Sequence, residues 1–296
     1  MMSNRKKSRY RPTKLDGALV LGLGILSLIW GYRSSIGIAY QWNWDEAITT
    51  VFTSKKGIDT PFFITGIYAT LRLSIWAALF ATFLGFVLGV GRYCAIRSIR
   101  MFCGTYIQIL RNIPPLVFIF IFYFFISSQV LPFLRLDELI SRSEESGLGW
   151  VLFGPSRLWE NLISGVLCIS FISAAYIAEV VRAGLTSIPR GQWEAGESLG
   201  IPLADKYRFI IFPQALARIA PPLTGQYISL VKDSSIVSLI SVQELTFVGS
   251  EIANSSGLLF EVWLLVAFVY FCLCFLLSIS LRQVERRVTR HFHRGV

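Results

Sequence analysis

Charge is scarce in this chain of 296 residues: 16% are Asp, Glu, Lys or Arg, against 54% hydrophobic. Soluble domains run nearer a quarter charged. A soluble protein of this length would have to hide more apolar surface than its interior could hold, which excludes a soluble enzyme of ordinary surface polarity. Cysteine is few and odd in number, five in all, with no Cys-x-x-Cys pair. Cys94, Cys168, Cys272 and Cys274 sit in or beside apolar runs, where a free thiol behaves as a small hydrophobe. A disulfide scaffold and a zinc site are both excluded on that pattern. The only histidines, His291 and His293, lie in the C-terminal tail and read as headgroup or solvent contacts rather than ligands. There is no GxxxxGK[ST] phosphate loop, and no apolar run carries HExxH, GxSxG or a pair of aspartates. No catalytic residue, metal ligand or cofactor is therefore assigned to this chain.

What is present in quantity is long uncharged sequence. A membrane-spanning helix needs roughly 20 apolar residues. Six runs approach or reach that length: Gly17 to Tyr32, Leu73 to Val90, Ile113 to Leu134, Asn161 to Ala178, Ile219 to Val231 with a resumption at Ser234, and Val262 to Leu281. One such run could be a buried core helix; six in one chain of this length point to an all-α membrane protein. The first follows a basic segment, as a signal peptide would. Trp30, Tyr32 and Arg33 occupy the place of a small-residue cleavage site, so a retained anchor is expected.

The net charge of +10 could suggest nucleic acid, but its placement points to the positive-inside rule instead. Residues 1–14, 91–112, 179–218 and 282–296 hold 20 of the 28 basic residues. These segments alternate correctly for six spans, so both termini are expected in the cytoplasm. The opposite loops, 33–60 and 132–160, carry Trp42, Trp44, Trp150 and Trp159, as an interfacial belt would.

The largest inner loop has its own punctuation. Pro189 and Gly191 open a short helix over Gln192 to Leu199; Gly200 suits its C-terminal cap and Pro202 blocks continuation. A second short helix, Leu203 to Phe212, is expected to end at Pro213. Such a pair could lie on lipid headgroups, but the first helix carries Glu194 and Glu197 rather than a basic face, which favours docking to a protein. Ala195 and Gly196 are small and would let a partner approach closely.

The spacing Glu194-Ala195-Gly196, Gly200, Ile210, Pro213 resembles the EAA loop of ABC importer permeases: E-A-A, three residues, Gly, nine residues, Ile, one residue, Leu-Pro. Gly196 departs from the second Ala and Phe212 from the Leu. The residues Ala174 to Gly184, Ser187-Ile188-Pro189, Gly191 to Ala195, Arg111 to Leu116 and Lys232-Asp233-Ser234-Ser235 are similar to the polar amino acid branch of that family. Gln108 stands where many relatives carry Glu, and Gln226 where many carry Asn. The resemblance implies a five-helix permease core at 63–281, with a coupling loop at 186–214. Added to it are a basic N-terminus at 1–14, an N-terminal helix and outer loop at 15–62, and a basic tail at 282–296. It also implies partners: a cytoplasmic ATPase dimer that would hold ATP and Mg, a second permease subunit, an extracytoplasmic solute-binding protein, and membrane lipid. The location implied is a bacterial inner membrane, and the cargo an amino acid such as glutamate, glutamine, aspartate or a basic type. Arg190 and Arg208 read as surface charges, with pairing to ATPase acids as the alternative.

Ionisable residues at membrane depth mark transport pathways or internal pairs. Glu179, Lys232 and Asp233, with the adjacent Ser234, are the candidates. The rival reading pairs Glu179 with Arg182 and Asp233 with Lys232. Pro221-Pro222 is expected to break the start of the fifth helix and free backbone groups toward a cavity. Gly85 and Gly89 are explained by close helix packing. A stand-alone secondary transporter or channel is the alternative function, but such proteins show internal repeats, which are not evident here. An intramembrane enzyme ranks last.

Overall fold

The computed structural model describes residues 21–29, 31–32, 40–53, 60–133, 152 and 154–290. Two units are described separately, residues 1–43 and 44–296. In the first, 21–29 and 31–32 are helical. The expected first span therefore lies partly outside the described residues, as do most of the loop at 132–160 and both histidines. The second unit holds α1 (Trp44–Phe52), α2 (Phe62–Tyr93), α3 (Arg97–Asn112), α4 (residues 115–133), α5 (Trp159–Thr186), α6 (Arg190–Ser198), α7 (residues 203–233), α8 (Leu245–Ser256) and α9 (Leu259–Arg290). No strand occurs among the described residues.

Among the described residues, three helices are long and apolar enough to cross a membrane: Phe62–Tyr93, Trp159–Thr186 and Leu259–Arg287. Two bent pairs bring the number to as many as five. In one, Arg97–Asn112 meets Pro115–Val130 at 109°. The sequence gives the cause. Ile113 and Pro114 adopt extended backbone, which the residue before a proline prefers, and Pro115 then opens a new helix. In the other pair, Leu203–Ile240 meets Leu245–Ser256 at 53°. Five of the six expected spans fall on described helices.

Small residues decide the packing. α5 buries Ser170, Ser173, Ala174, Ala175 and Ala178 along its length, and its neighbours close on it with little side chain between. At Gly184 a Cβ would run into Ile219 of α7. The main core joins Leu73 and Ala77 of α2, Ile119 and Phe122 of α4, Ile169 and Ile177 of α5, and Ile219 and Leu230 of α7. A second cluster joins Ala47 and Val51 of α1, Phe63 of α2, Leu245 and Val248 of α8, and Val262 of α9. α3 is amphipathic and buries Cys103, Ile107 and Leu110, spaced i, i+4, i+7, near Leu88 of α2 and Ala178 of α5.

Three details differ from the expectations. Pro213 does not end a helix; it stands in the first turn of a stretch, Phe212–Asp233, that continues the same helical path. Lacking an N–H, it donates nothing back to the helical segment before it. Pro221 and Pro222 do not break the helix either, and lie inside it. Lacking N–H groups, they leave the carbonyls of Ala217 and Arg218 without helical donors. Trp159 is buried, its indole N–H donating to the Gly154 carbonyl at 3.0 Å, so it serves the fold rather than a lipid interface.

Candidate functional site

The elbow between α5 and α7 is built from local rules. α6 starts directly after Pro189, whose extended backbone turns the chain out of α5. It ends in a Schellman motif: Ile201 N–H donates to the Gly196 carbonyl at 3.1 Å and Gly200 N–H to the Glu197 carbonyl at 2.9 Å. Gly200 has φ of +65°, the left-handed conformation this motif requires and only glycine adopts without strain. The six residues singled out in the sequence divide into four groups. Glu194 and Ala195 are exposed; Gly196 is buried; Gly200 makes the turn; Ile210 and Pro213 are half-buried.

Gly196 therefore does not offer a close approach to a partner. It faces inward, where a Cβ would lie 3.1 Å from Lys206 Cγ. Elsewhere on the elbow, Leu199, Leu203 and Phe209 are also exposed, by 77%, 64% and 67%. Behind that surface, Trp193 packs against the main core and meets Tyr207 edge-on at 5.1 Å. Gln214 of α7 donates to the Gln192 side chain at 3.0 Å. Arg218 of α7 donates to the Ser187 carbonyl.

Glu179 lies about two turns before the end of α5 and gathers three arginines. Its Oε1 accepts from Arg182 Nε at 3.0 Å and Nη2 at 2.5 Å. Its Oε2 lies 3.2 Å from Arg92 Nη1 and 4.0 Å from Arg111 Nη1. Oε2 makes no well-aligned hydrogen bond, so the contact with Arg92 is Coulombic. One carboxylate thus ties α2, α3 and α5 together. Arg111 also lies over the Tyr176 ring, 5.6 Å from its centre. A cavity of about 420 Å³ opens here, lined by Arg111, Tyr176, Glu179, Val180, Ala183, Gly184, Ser187, Arg218, Pro222 and Gln226. Its cations outnumber its single carboxylate.

Lys232, Asp233 and Ser234 are not part of that cavity. They lie beyond Gln226 toward the far end of α7, with Asp233 about 10 Å further along at 1.5 Å per residue. Lys232 is exposed, Asp233 half-buried, and Ser234 buried with its hydroxyl donating to the Val231 carbonyl at 2.7 Å. Among the described residues Lys232 and Asp233 close no salt bridge on each other, whereas Glu179 and Arg182 do. The structure adds residues to which the sequence reading gave no role: Arg111, Tyr176 and Arg218 at the cavity, Arg92 against Glu179, and Lys206 behind the elbow. The prior signals were Arg111 within the Arg-Asn-Ile-Pro-Pro-Leu segment and Tyr176 within Ala174 to Gly184.

The model of the family described as "Binding-protein-dependent transport system inner membrane component" matches residues 81–290. The chain belongs to that family. The match runs from within α2 through the elbow to the end of α9. This family member is a multi-pass permease of the ABC importer fold. It is 33% identical over 233 residues to the L-cystine transport system permease protein TcyB of Bacillus subtilis (strain 168), covering 78% of this chain and 88% of that one. It is 29% identical to the probable glutamine ABC transporter permease protein GlnM of the same organism, over 78% of this chain and 94% of that one. A solved structure described as an amino acid ABC transporter with histidines matches with a TM-score of 0.65 and 27% identity, covering 84% of this chain and all of that one, 100%.

Proposed function

We propose that this permease is the membrane subunit of an ATP-driven importer of polar L-amino acids, of the glutamate, glutamine, aspartate or basic type. The names of its relatives support the cargo: they include cystine, glutamine and glutamate/aspartate permeases. In this reading a solute-binding protein delivers the amino acid outside. A second permease subunit completes the pathway. A cytoplasmic ATPase dimer holds ATP and Mg, so this subunit hydrolyses nothing itself. Both termini and the elbow face the cytoplasm.

The observation that carries the reading is the elbow's two-sidedness. Glu194 and Ala195 of α6 and Leu199 at its C-terminus are exposed, while the other side of α6 is fastened to the core through Trp193 and to α7 through Gln192 and Gln214. A partner that moves the outer face moves α7, a membrane helix, with it. The arginine-rich cavity beside Glu179 would meet the carboxylate of an amino acid, and Glu179 its ammonium. Asp233, Lys232 and Ser234 would belong to a separate stretch of the pathway.

The test is reconstitution of the complex, with ATP hydrolysis measured across a panel of amino acids. Stimulation by one polar class and ATP-dependent uptake of the same class are expected. Uptake that proceeds without the ATPase would replace this reading with a stand-alone transporter.

A further inference from the structure

Lys206 is a cation in an unusual place. It is 3% exposed, although it lies on a surface elbow outside the long apolar helices. Burying an ammonium is costly unless it is paired and its stem is packed. Both conditions are met. Nζ donates to Glu197 Oε1 at 3.0 Å. The stem fills the space beside Gly196, with Cγ, Cδ and Cε 3.1, 3.2 and 3.3 Å from where a Cβ would stand. Lys206 opens the π-helical segment Lys206–Ile211. A π turn inserts one residue into the helix and rotates what precedes it, which is a recurrent device at working sites. Here the side chain at 206 points inward while Phe209, three residues on, remains exposed.

The geometry points to Lys206 as a positioning residue that locks α6 onto α7. Its stem seats under Gly196 and its ammonium holds Glu197, so the last turn of α6 and the first turn of α7 move as one piece. Gly196 is small in order to admit that stem. The inference rests on the coupling role proposed above and identifies the part inside the permease that makes the elbow stiff.

The experiment has two arms. In the first, amide exchange is followed on the full-length permease alone in lipid nanodiscs. Lys206→Ala and Glu197→Gln are each expected to speed exchange across residues 190–201 by roughly three- to tenfold, the range for a charge-assisted hydrogen bond with one exposed partner. Exchange in α2 and α5 should be unchanged. In the second arm, uptake per ATP hydrolysed is measured in the assembled complex. Both variants should lower that ratio. Gly196→Ala should lower it too, but should add no deficit in the Lys206→Ala background, because the stem it displaces is gone. Glu197 is 72% exposed, so its variant cannot fail simply by unfolding. Wild-type exchange and wild-type coupling in Lys206→Ala would overturn the assignment. So would faster exchange spread over α2 and α5, which would mark Lys206 as a general folding contact. If the unmodified complex shows no ATP-dependent uptake, the importer reading fails, while the exchange arm still decides the lock.

Discussion

Gly85 on α2 faces Ile177 on α5 so closely that a Cβ at position 85 would lie 2.6 Å from Ile177 Cγ2. One turn along, a Cβ at Gly89 would lie 2.7 Å from the Ala178 carbonyl oxygen and 2.7 Å from Val181 Cβ. Gly85→Ala and Gly89→Ala are expected to destabilise the permease by about 1–3 kcal/mol each, the usual cost of overpacking. The obstacle at 89 includes backbone, which yields least, so Gly89→Ala should be the worse of the two. Unfolding of the purified permease by graded denaturing detergent measures both.

Glu179 neutralises arginines from three helices, so its loss leaves more than one cation uncompensated. Removing one partner of a buried pair typically costs 3–5 kcal/mol. The Glu179 side chain is 25% exposed, and solvent reduces the expected cost to about 1–3 kcal/mol. Glu179→Gln should therefore lower the amount of folded permease in the membrane. Arg111→Gln should cost much less, because its contact is the longest at 4.0 Å and it is the most exposed of the three arginines. Transport normalised to folded protein then isolates any pathway role. Normal transport by the folded fraction of Glu179→Gln would leave Glu179 a structural anchor only.

The elbow separates folding from docking. Ala195 is exposed, so Ala195→Glu should insert and fold normally yet release or uncouple the ATPase. Co-purification of the ATPase with the variant, at wild-type rates of uptake, would show that this face is not the docking surface.

Gly200 has nothing within 4 Å of the position a Cβ would take, so substitution there meets no steric wall. Its cost is the backbone alone, about 1–2 kcal/mol for an ordinary L-residue held in the left-handed region. Gly200→Asn, which tolerates that region, should retain most uptake, and Gly200→Val should lose it. Equal uptake by the two variants would show that the φ of +65° is not required for function.

Glu244 has a different task from Glu179. It is fully buried and caps α8, accepting from Thr246 N and Phe247 N at 2.9 Å each. Tyr270 of α9 donates to it at 2.6 Å, and Thr70 of α2 approaches at 3.4 Å. It therefore joins three helices through hydrogen bonds at a fully buried position. Glu244→Ala should cost about 2–3 kcal/mol, and Tyr270→Phe about 1 kcal/mol, read by the same detergent titration. A double variant no worse than Glu244→Ala would establish that the two act through one bond.

Much of this protein is determined by the sequence alone. The apolar runs of α2, α4, α5, α7 and α9 are legible because burial in lipid needs continuous apolar length, and that is a property of adjacent residues. The turn at Gly200 is legible for the same reason: a glycine closing a short helix, followed by Pro202, leaves few local alternatives. The Glu179–Arg182 pair is one helical turn apart and can be read from its spacing.

Tertiary structure decided the rest, because the contacts join residues far apart in the chain. Arg92 and Arg111 reach Glu179 only because α2, α3 and α5 converge at one end. Gly196 looks like a surface opening for a partner until Lys206 is turned beneath it by a π segment that no residue pattern announces. Pro221 and Pro222 look like a helix break, yet packing between α5 and α9 carries α7 straight through them. Local sequence settles where backbone turns and where apolar length suffices. Which side of a short helix faces inward, and which charge meets which, depends on how separate helices pack.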